Sequence, residues 1–213
     1  QHYFYQTIDQ KPHVISFNSN GDTHQFFNAE IALDLPQQST IEELIFYEDY
    51  IYIQHNVINS FLPNYQIPSY NRYNLSGQLD SLFNFRLTDL VADSLDLYLS
   101  PKMEISTKGE VYICYRTKTD STEYWNSAFL KMDTQGKLDT TFNNFEHLNH
   151  QPGLNQTRIE NLQVLESGLL LHSVDLTNSE YGLYLFNENT SGEISLEKKL
   201  IYNYATNNYF TLT

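Results

Sequence analysis

Tyr70-Asn71-Arg72-Tyr73-Asn74-Leu75-Ser76-Gly77-Gln78-Leu79-Asp80-Ser81-Leu82-Phe83 and Phe129-Leu130-Lys131-Met132-Asp133-Thr134-Gln135-Gly136-Lys137-Leu138-Asp139-Thr140-Thr141-Phe142 read as one motif written twice. In each copy a short alternating run reads as a strand. Asn74 or Asp133 then opens a tight turn by hydrogen-bonding to nearby backbone. Gly77 or Gly136 takes the left-handed position, where a Cβ would be strained, and closes a hairpin. A second strand follows, with Asp80 and Phe83 in one copy matched by Asp139 and Phe142 in the other.

Two degenerate copies flank these, Val14 to Gly21 and Tyr184 to Gly192. The glycines at 21, 77, 136 and 192 are 56, 59 and 56 residues apart. A further pair of strand-like runs precedes each later hairpin: Ile41–Phe46 with Tyr50–Ile53, Met103–Ile105 with Val111–Ile113, and Ile159–Leu165 with Leu169–Leu171. Turns at Lys108-Gly109 and Ser167-Gly168 join the last two pairs. Ile51, Val111 and Leu169 recur in step with the glycines. Each unit therefore holds four strands, and four-stranded units at this period are β-propeller blades. The expected fold is all-β, a propeller of four-stranded antiparallel blades in one domain spanning 1–213. Its repeat units are approximately 1–39, 40–98, 99–155 and 156–213.

Helical periodicity is nearly absent. Leu87 to Leu99 has room for a turn or two and reads as an inter-blade connection. Too few residues precede Val14 to hold the first pair of strands of blade one. Ile201–Tyr204 and Tyr209–Leu212 are expected to begin another blade or to complete the first by ring closure. Of these, a chain that is part of a larger propeller is the expected case. Gln1 at the start is expected of a chain that has lost a signal peptide or is a piece of a longer one.

The central copies resemble the delta-60 β-propeller repeat, whose pattern runs L-x-R-[LY]-[ND]-x-x-G-x-L-D-x-x-F. Tyr70 to Phe83 follows it closely, and Phe129 to Phe142 follows it with Lys131 in place of the arginine. The resemblance covers roughly residues 14–196, and the outer copies are degenerate. It implies a bacterial protein that is secreted, periplasmic or on the cell surface. It implies no defined activity, and fold analogy alone supplies none.

Composition narrows the partners. Twelve basic residues against 26 acidic ones give a net charge of −14, which repels nucleic-acid phosphates and anionic membrane surfaces. No apolar run approaches a membrane span. Cys114 is the single cysteine, so no internal disulfide forms, and its strand-like setting reads as a small buried hydrophobe.

No phosphate loop, nucleophile elbow, zinc spacing or dinucleotide fingerprint is found, so no catalytic residue, metal site or cofactor is assigned. His147 and His150 read as polar loop residues. Asp80 and Asp139 recur at equivalent places, which favours a structural role as turn acceptors over calcium binding or acid–base chemistry. Tyr65, Tyr70, Tyr124, Trp125, Tyr204 and Tyr209 fall in polar-aromatic stretches read as loops. Such residues either pack between blades or offer rigid contacts to a partner. The expected function is a non-catalytic scaffold that docks on a protein. A glycan-binding propeller is the alternative, and a propeller glycan hydrolase or lyase stands behind that.

Overall fold

A computed structural model describes residues 2–8, 11–17, 31–32, 39–58, 66–90, 101–118, 125–142, 157–166, 168–175, 180–188, 194–203 and 208–211. The fold is all-β: fifteen strands and one helical turn among the described residues. The strands form four antiparallel sheets, each built from one contiguous stretch of chain. The chain divides into two compact units, Gln1–Leu90 and Val91–Thr213.

In the first unit, β1 (His2–Ile8), β2 (Lys11–Phe17) and β3 (Ile31–Ala32) form a three-stranded sheet in that order. A four-stranded meander follows: β4 (Ser39–Tyr47), β5 (Tyr50–Ile58), β6 (Gln66–Asn74) and β7 (Leu79–Arg86). The turn α1 (Leu87–Leu90) ends the unit where the sequence leaves room for one, and buries Leu87. One face of the meander carries an apolar cluster of Ile41, Ile51, Ile53 and Tyr73.

The second unit holds β8 (Lys102–Ile105), β9 (Val111–Lys118) and β10 (Trp125–Met132) in one sheet. Its other sheet runs β11 (Thr157–Leu165), β12 (Gly168–Asp175), β13 (Glu180–Glu188), β14 (Ile194–Asn203) and β15 (Asn208–Thr211). The two sheets pack through Tyr112, Cys114, Phe129 and Phe142 from the first and Leu162, Leu169, Leu171, Tyr184 and Phe186 from the second. Phe129 meets Phe186 edge to face at 6.0 Å. Cys114 is fully buried in this core, and burial pushes its thiol well above the ordinary range.

Local chemistry explains the hairpins. The Asn74 side chain accepts from the backbone N–H of Ser76 and Gln78, while Gly77 sits at φ 81°. The Asp133 side chain accepts from Gln135 and Lys137, with Gly136 at φ 80°. Ser106 plays the same part between β8 and β9, accepting from Lys108 and Glu110, with Gly109 at φ 79°. Three turns thus use one solution: a short polar side chain bridges the loop, and glycine takes the left-handed corner.

Three expectations need correction. Tyr209 lies in β15, which adds to β14 as a fifth strand of the same sheet rather than beginning a new one. The reason is that β14 would otherwise leave a row of N–H and C=O groups unpaired at its edge. Trp125 opens β10 and Tyr70 lies within β6, so neither belongs to a loop. After Gly136 the motif does not repeat the strand that follows Gly77. Among the described residues there, a single bridge between Met132 and Leu138 takes its place.

Candidate functional site

Among the described residues, buried charge recurs at one repeated position. Arg72 on β6 stands directly across from Tyr52 on β5, and Lys131 on β10 stands directly across from Tyr112 on β9. Both cations are buried. A buried charge must be paired and hydrogen-bonded, and the two copies meet that demand differently.

Arg72 finds partners on both neighbouring strands of its own sheet. Its Nε and Nη2 donate to Oδ2 of Asp80 at 3.0 and 2.6 Å. Nη1 donates to the Tyr52 hydroxyl at 3.1 Å. The guanidinium carbon lies 4.7 Å from the ring centre of Tyr50 and 5.2 Å from that of Phe83. Burial alone would lower the Arg72 pKa, but the Tyr52 and Asp80 hydrogen bonds outweigh it and raise it. Burial alone would raise the Asp80 carboxyl, and the Arg72 hydrogen bonds hold it below the usual range instead.

Lys131 reaches across to the next sheet. Its Nζ lies 2.5 Å from Oε1 of Glu188 and 3.2 Å from Oε1 of Glu110. The Tyr112 hydroxyl donates to the other Glu188 oxygen at 2.7 Å. Burial opposes the lysine charge, yet the hydrogen bonds with Glu188 and Tyr112 raise its pKa. The Asp139 side chain forms no ion pair with Lys131 but keeps the turn role: its Oδ1 accepts from the backbone and hydroxyl of Thr141 at 2.9 and 2.6 Å. The Thr141 bonds and the nearby Lys131 charge hold its carboxyl below the usual range. Asp80 makes the matching backbone bond to Leu82 at 2.9 Å.

Beside Lys131 opens a cleft of about 480 Å³, within the range of small-molecule sites. Glu110, Glu166, Glu188, Lys108 and Lys131 give it both signs of charge, and Val164 and Leu165 give it an apolar wall. Such a lining suits a neutral, hydroxyl-rich ligand better than a strongly charged one.

A second polar group ends the apolar face of the β4–β7 sheet. His55 Nε2 lies 2.5 Å from Asn71 Oδ1, and Asn71 Nδ2 donates to Asn84 Oδ1 at 2.9 Å. An amide oxygen only accepts, so Nε2 carries the proton. Among the described residues, the buried Nδ1 lone pair has no hydrogen-bond partner. Burial lowers the His55 pKa below its ordinary 6.5, and the Asn71 bond only partly opposes that. The unfolded chain therefore takes up a proton on this ring at a higher pH than the folded chain does. Stability from His55 is full above 6.5 and is lost as pH falls below it. Urea unfolding at pH 7.5 and 5.5 should show this loss, and His55→Gln should shrink it. An equal loss in both proteins would refute the assignment.

The aromatic candidates separate. Tyr70 is fully buried and stacks on Phe85 with ring centres 5.1 Å apart, so it packs the core instead of meeting a partner. Trp125 and Tyr209 occupy strands. Tyr65, Tyr124 and Tyr204 lie outside the described residues, as do Gly21, Gly192, His147 and His150. Phe83 and Phe142 both lie in the core under the repeated cation. Sequence reading missed the Arg72–Asp80 pair and the reach of Lys131 to Glu188. The common spacing of Arg72 to Asp80 and Lys131 to Asp139 was the available signal for the first, and nothing local pointed to the second.

Among the described residues, no group of three or more His, Cys, Asp or Glu side chains is placed to hold a metal ion. No helix there is long and apolar enough to cross a membrane. No family model matches the chain, and no curated protein matches it. Among solved structures, it is similar to an endo-arabinase from Bacteroides thetaiotaomicron VPI-5482 at 11% identity and a TM-score of 0.46. That likeness covers 93% of this chain and 82% of the other.

Proposed function

We propose that the chain is a non-catalytic β-propeller scaffold of the delta-60 kind, working outside the cytoplasm by docking on a protein partner. One observation carries this reading. A buried cation and its surroundings recur as a set: Tyr52, Arg72, Asp80 and Phe83 in one repeat, Tyr112, Lys131, Asp139 and Phe142 in the next. Perturbed groups often mark active sites, but structural ion pairs perturb them equally. Recurrence at the repeat period supports the structural alternative, because a reaction centre needs its groups once. The acidic surface supports a protein partner over nucleic acid.

The test is to isolate the protein gently from its source and measure the particle mass. A defined complex heavier than the 24.9 kDa chain is the expected result. A lone particle that turns over a glycan would overturn the reading. The mixed-charge cleft beside Lys131 favours a glycan as the second reading. Titration with neutral oligosaccharides, compared between the native chain and Glu166→Gln, would find or remove it.

A further inference from the structure

The cleft beside Lys131 is not electrically balanced at its floor. Glu188 at the end of β13 and Glu110 at the start of β9 both set a carboxylate oxygen against the Lys131 ammonium. The Lys131 side chain is 10% exposed, that of Glu188 18% and that of Glu110 28%. Tyr112 donates a hydrogen bond to Glu188 but brings no charge. Two carboxylates therefore share one cation, and water reaches the excess negative charge only in part. In the preceding repeat Arg72 is matched by Asp80 of its own sheet. The imbalance is not corrected from behind: the depression on the other side of Lys131 adds Asp133, Asp139 and a single further lysine, Lys137. At the mouth of the cleft Lys108 and Glu166 are exposed and opposite in sign, so they cancel.

The rest of the lining selects the shape of the cation. Val164 and Leu165 make one wall apolar above the anionic floor. A lysine or arginine side chain has the matching form, an apolar stem that lies along apolar surface and a charged head at its end. A bare metal ion has no use for the apolar wall, and no group of three or more His, Cys, Asp or Glu among the described residues is placed to hold one. A neutral sugar would leave the charge of the floor unanswered.

We infer that this cleft receives a lysine or arginine side chain presented by the protein partner. The inference rests on the docking reading above and names what the partner brings. The incoming cation completes a set of two carboxylates and two cations with Glu110, Glu188 and Lys131. Its attraction to the floor is stronger there than at an open surface, because water screens these carboxylates less. The net charge of −14 draws a basic segment toward the chain before contact is made.

Amide NMR of the full chain, titrated with blocked tripeptides to millimolar concentration, tests the inference. A peptide with lysine between two glycines, and its arginine counterpart, should shift the amides of Lys108, Glu110, Glu166 and Gly168. The norleucine counterpart keeps the stem without the charge and should bind at least about 10-fold more weakly. Glu110→Gln leaves Lys131 paired with Glu188 and removes the excess charge. It should weaken the lysine peptide by a similar factor and leave the norleucine peptide unaffected. Circular dichroism checks folding. If Glu110→Gln unfolds, the salt dependence of the wild-type titration is read instead, and lysine binding alone should weaken as salt rises. Equal binding of the lysine and norleucine peptides overturns the inference, as does lysine binding that a folded Glu110→Gln protein retains in full. A neutral oligosaccharide that shifts these amides where the peptides do not also overturns it, in favour of the second reading. A chain that ignores every peptide yet forms a heavy particle in its source overturns this inference alone. A chain with no partner anywhere overturns the docking reading as well.

Discussion

Arg72→Ala should destabilise the first unit by about 3–5 kcal/mol, the range for breaking a buried pair by removing one partner. The guanidinium donates twice to Asp80 and once to Tyr52, and is packed among Tyr50, Tyr52 and Phe83. Removing it leaves a cavity between rings and an unanswered carboxylate. The Asp80 side chain is 22% exposed, so water repays part of the loss and the effect should fall near the lower end. Arg72→Lys keeps the charge but not the planar fork, and a loss of about 1–2 kcal/mol is expected. Arg72→Met combined with Asp80→Asn should be milder than Arg72→Ala, because neither partner is left charged. Because the chain has two compact units, a single unfolding curve can mix two transitions. Amide exchange across β5 and β6 therefore provides the localised measurement. Unchanged protection in Arg72→Ala would refute the assignment of the pair as a structural element.

The turns were legible in the sequence because their chemistry is local. Asn74 with Gly77 and Asp133 with Gly136 lie within the few residues whose hydrogen bonds make the turn. The strand pairs that precede each hairpin were legible for the same reason, being short apolar runs separated by short turns. The all-β class follows from those two features alone. The Arg72–Asp80 pair needed the register of a hairpin, which the sequence implies only after the turn is fixed. Lys131 to Glu188 spans 57 residues and two sheets, and local reading cannot reach it. Tyr70 was misread because two nearby prolines argue for a loop. Pro68 is tolerated because it pairs with Asn56 on one side, while the described ladder with β7 begins only at Ser69. A proline there lacks an N–H but has no described ladder partner on the β7 side. The His55 network was invisible for another reason. Its position corresponds to Tyr115 and Ser173 in the other repeats, so nothing in the repeat pattern marks it as polar.

Gly168→Ala should be the most damaging single methyl addition in the second unit. Gly168 opens β12 with φ at +149°, a backbone conformation that L side chains rarely adopt. A Cβ built there would lie 1.8 Å from the carbonyl oxygen of Phe186 and 2.9 Å from the Asn187 Cα. Both neighbours are backbone of β13, so no side chain can swing aside. The strands must separate or the β11–β12 turn must be rebuilt. Either change reaches Leu169 and Phe186, which pair across β12 and β13 and lie in the core shared with the β8–β10 sheet. It also disturbs Glu188, two residues beyond Phe186, and with it the bond to Lys131. Gly77→Ala offers the comparison. It meets the left-handed penalty of roughly 1–2 kcal/mol in an exposed turn, with no strand against it. Gly168→Ala should cost at least about 3 kcal/mol, since strain, lost ladder bonds and core disruption add. Thermal unfolding of the two variants should rank them in that order, with loss of amide protection in Gly168→Ala spreading from β12 into β13. Equal melting temperatures would mean that the β12–β13 ladder yields where the structure shows it closed. The stacking of one sheet on the next would then not depend on the close approach of these strands.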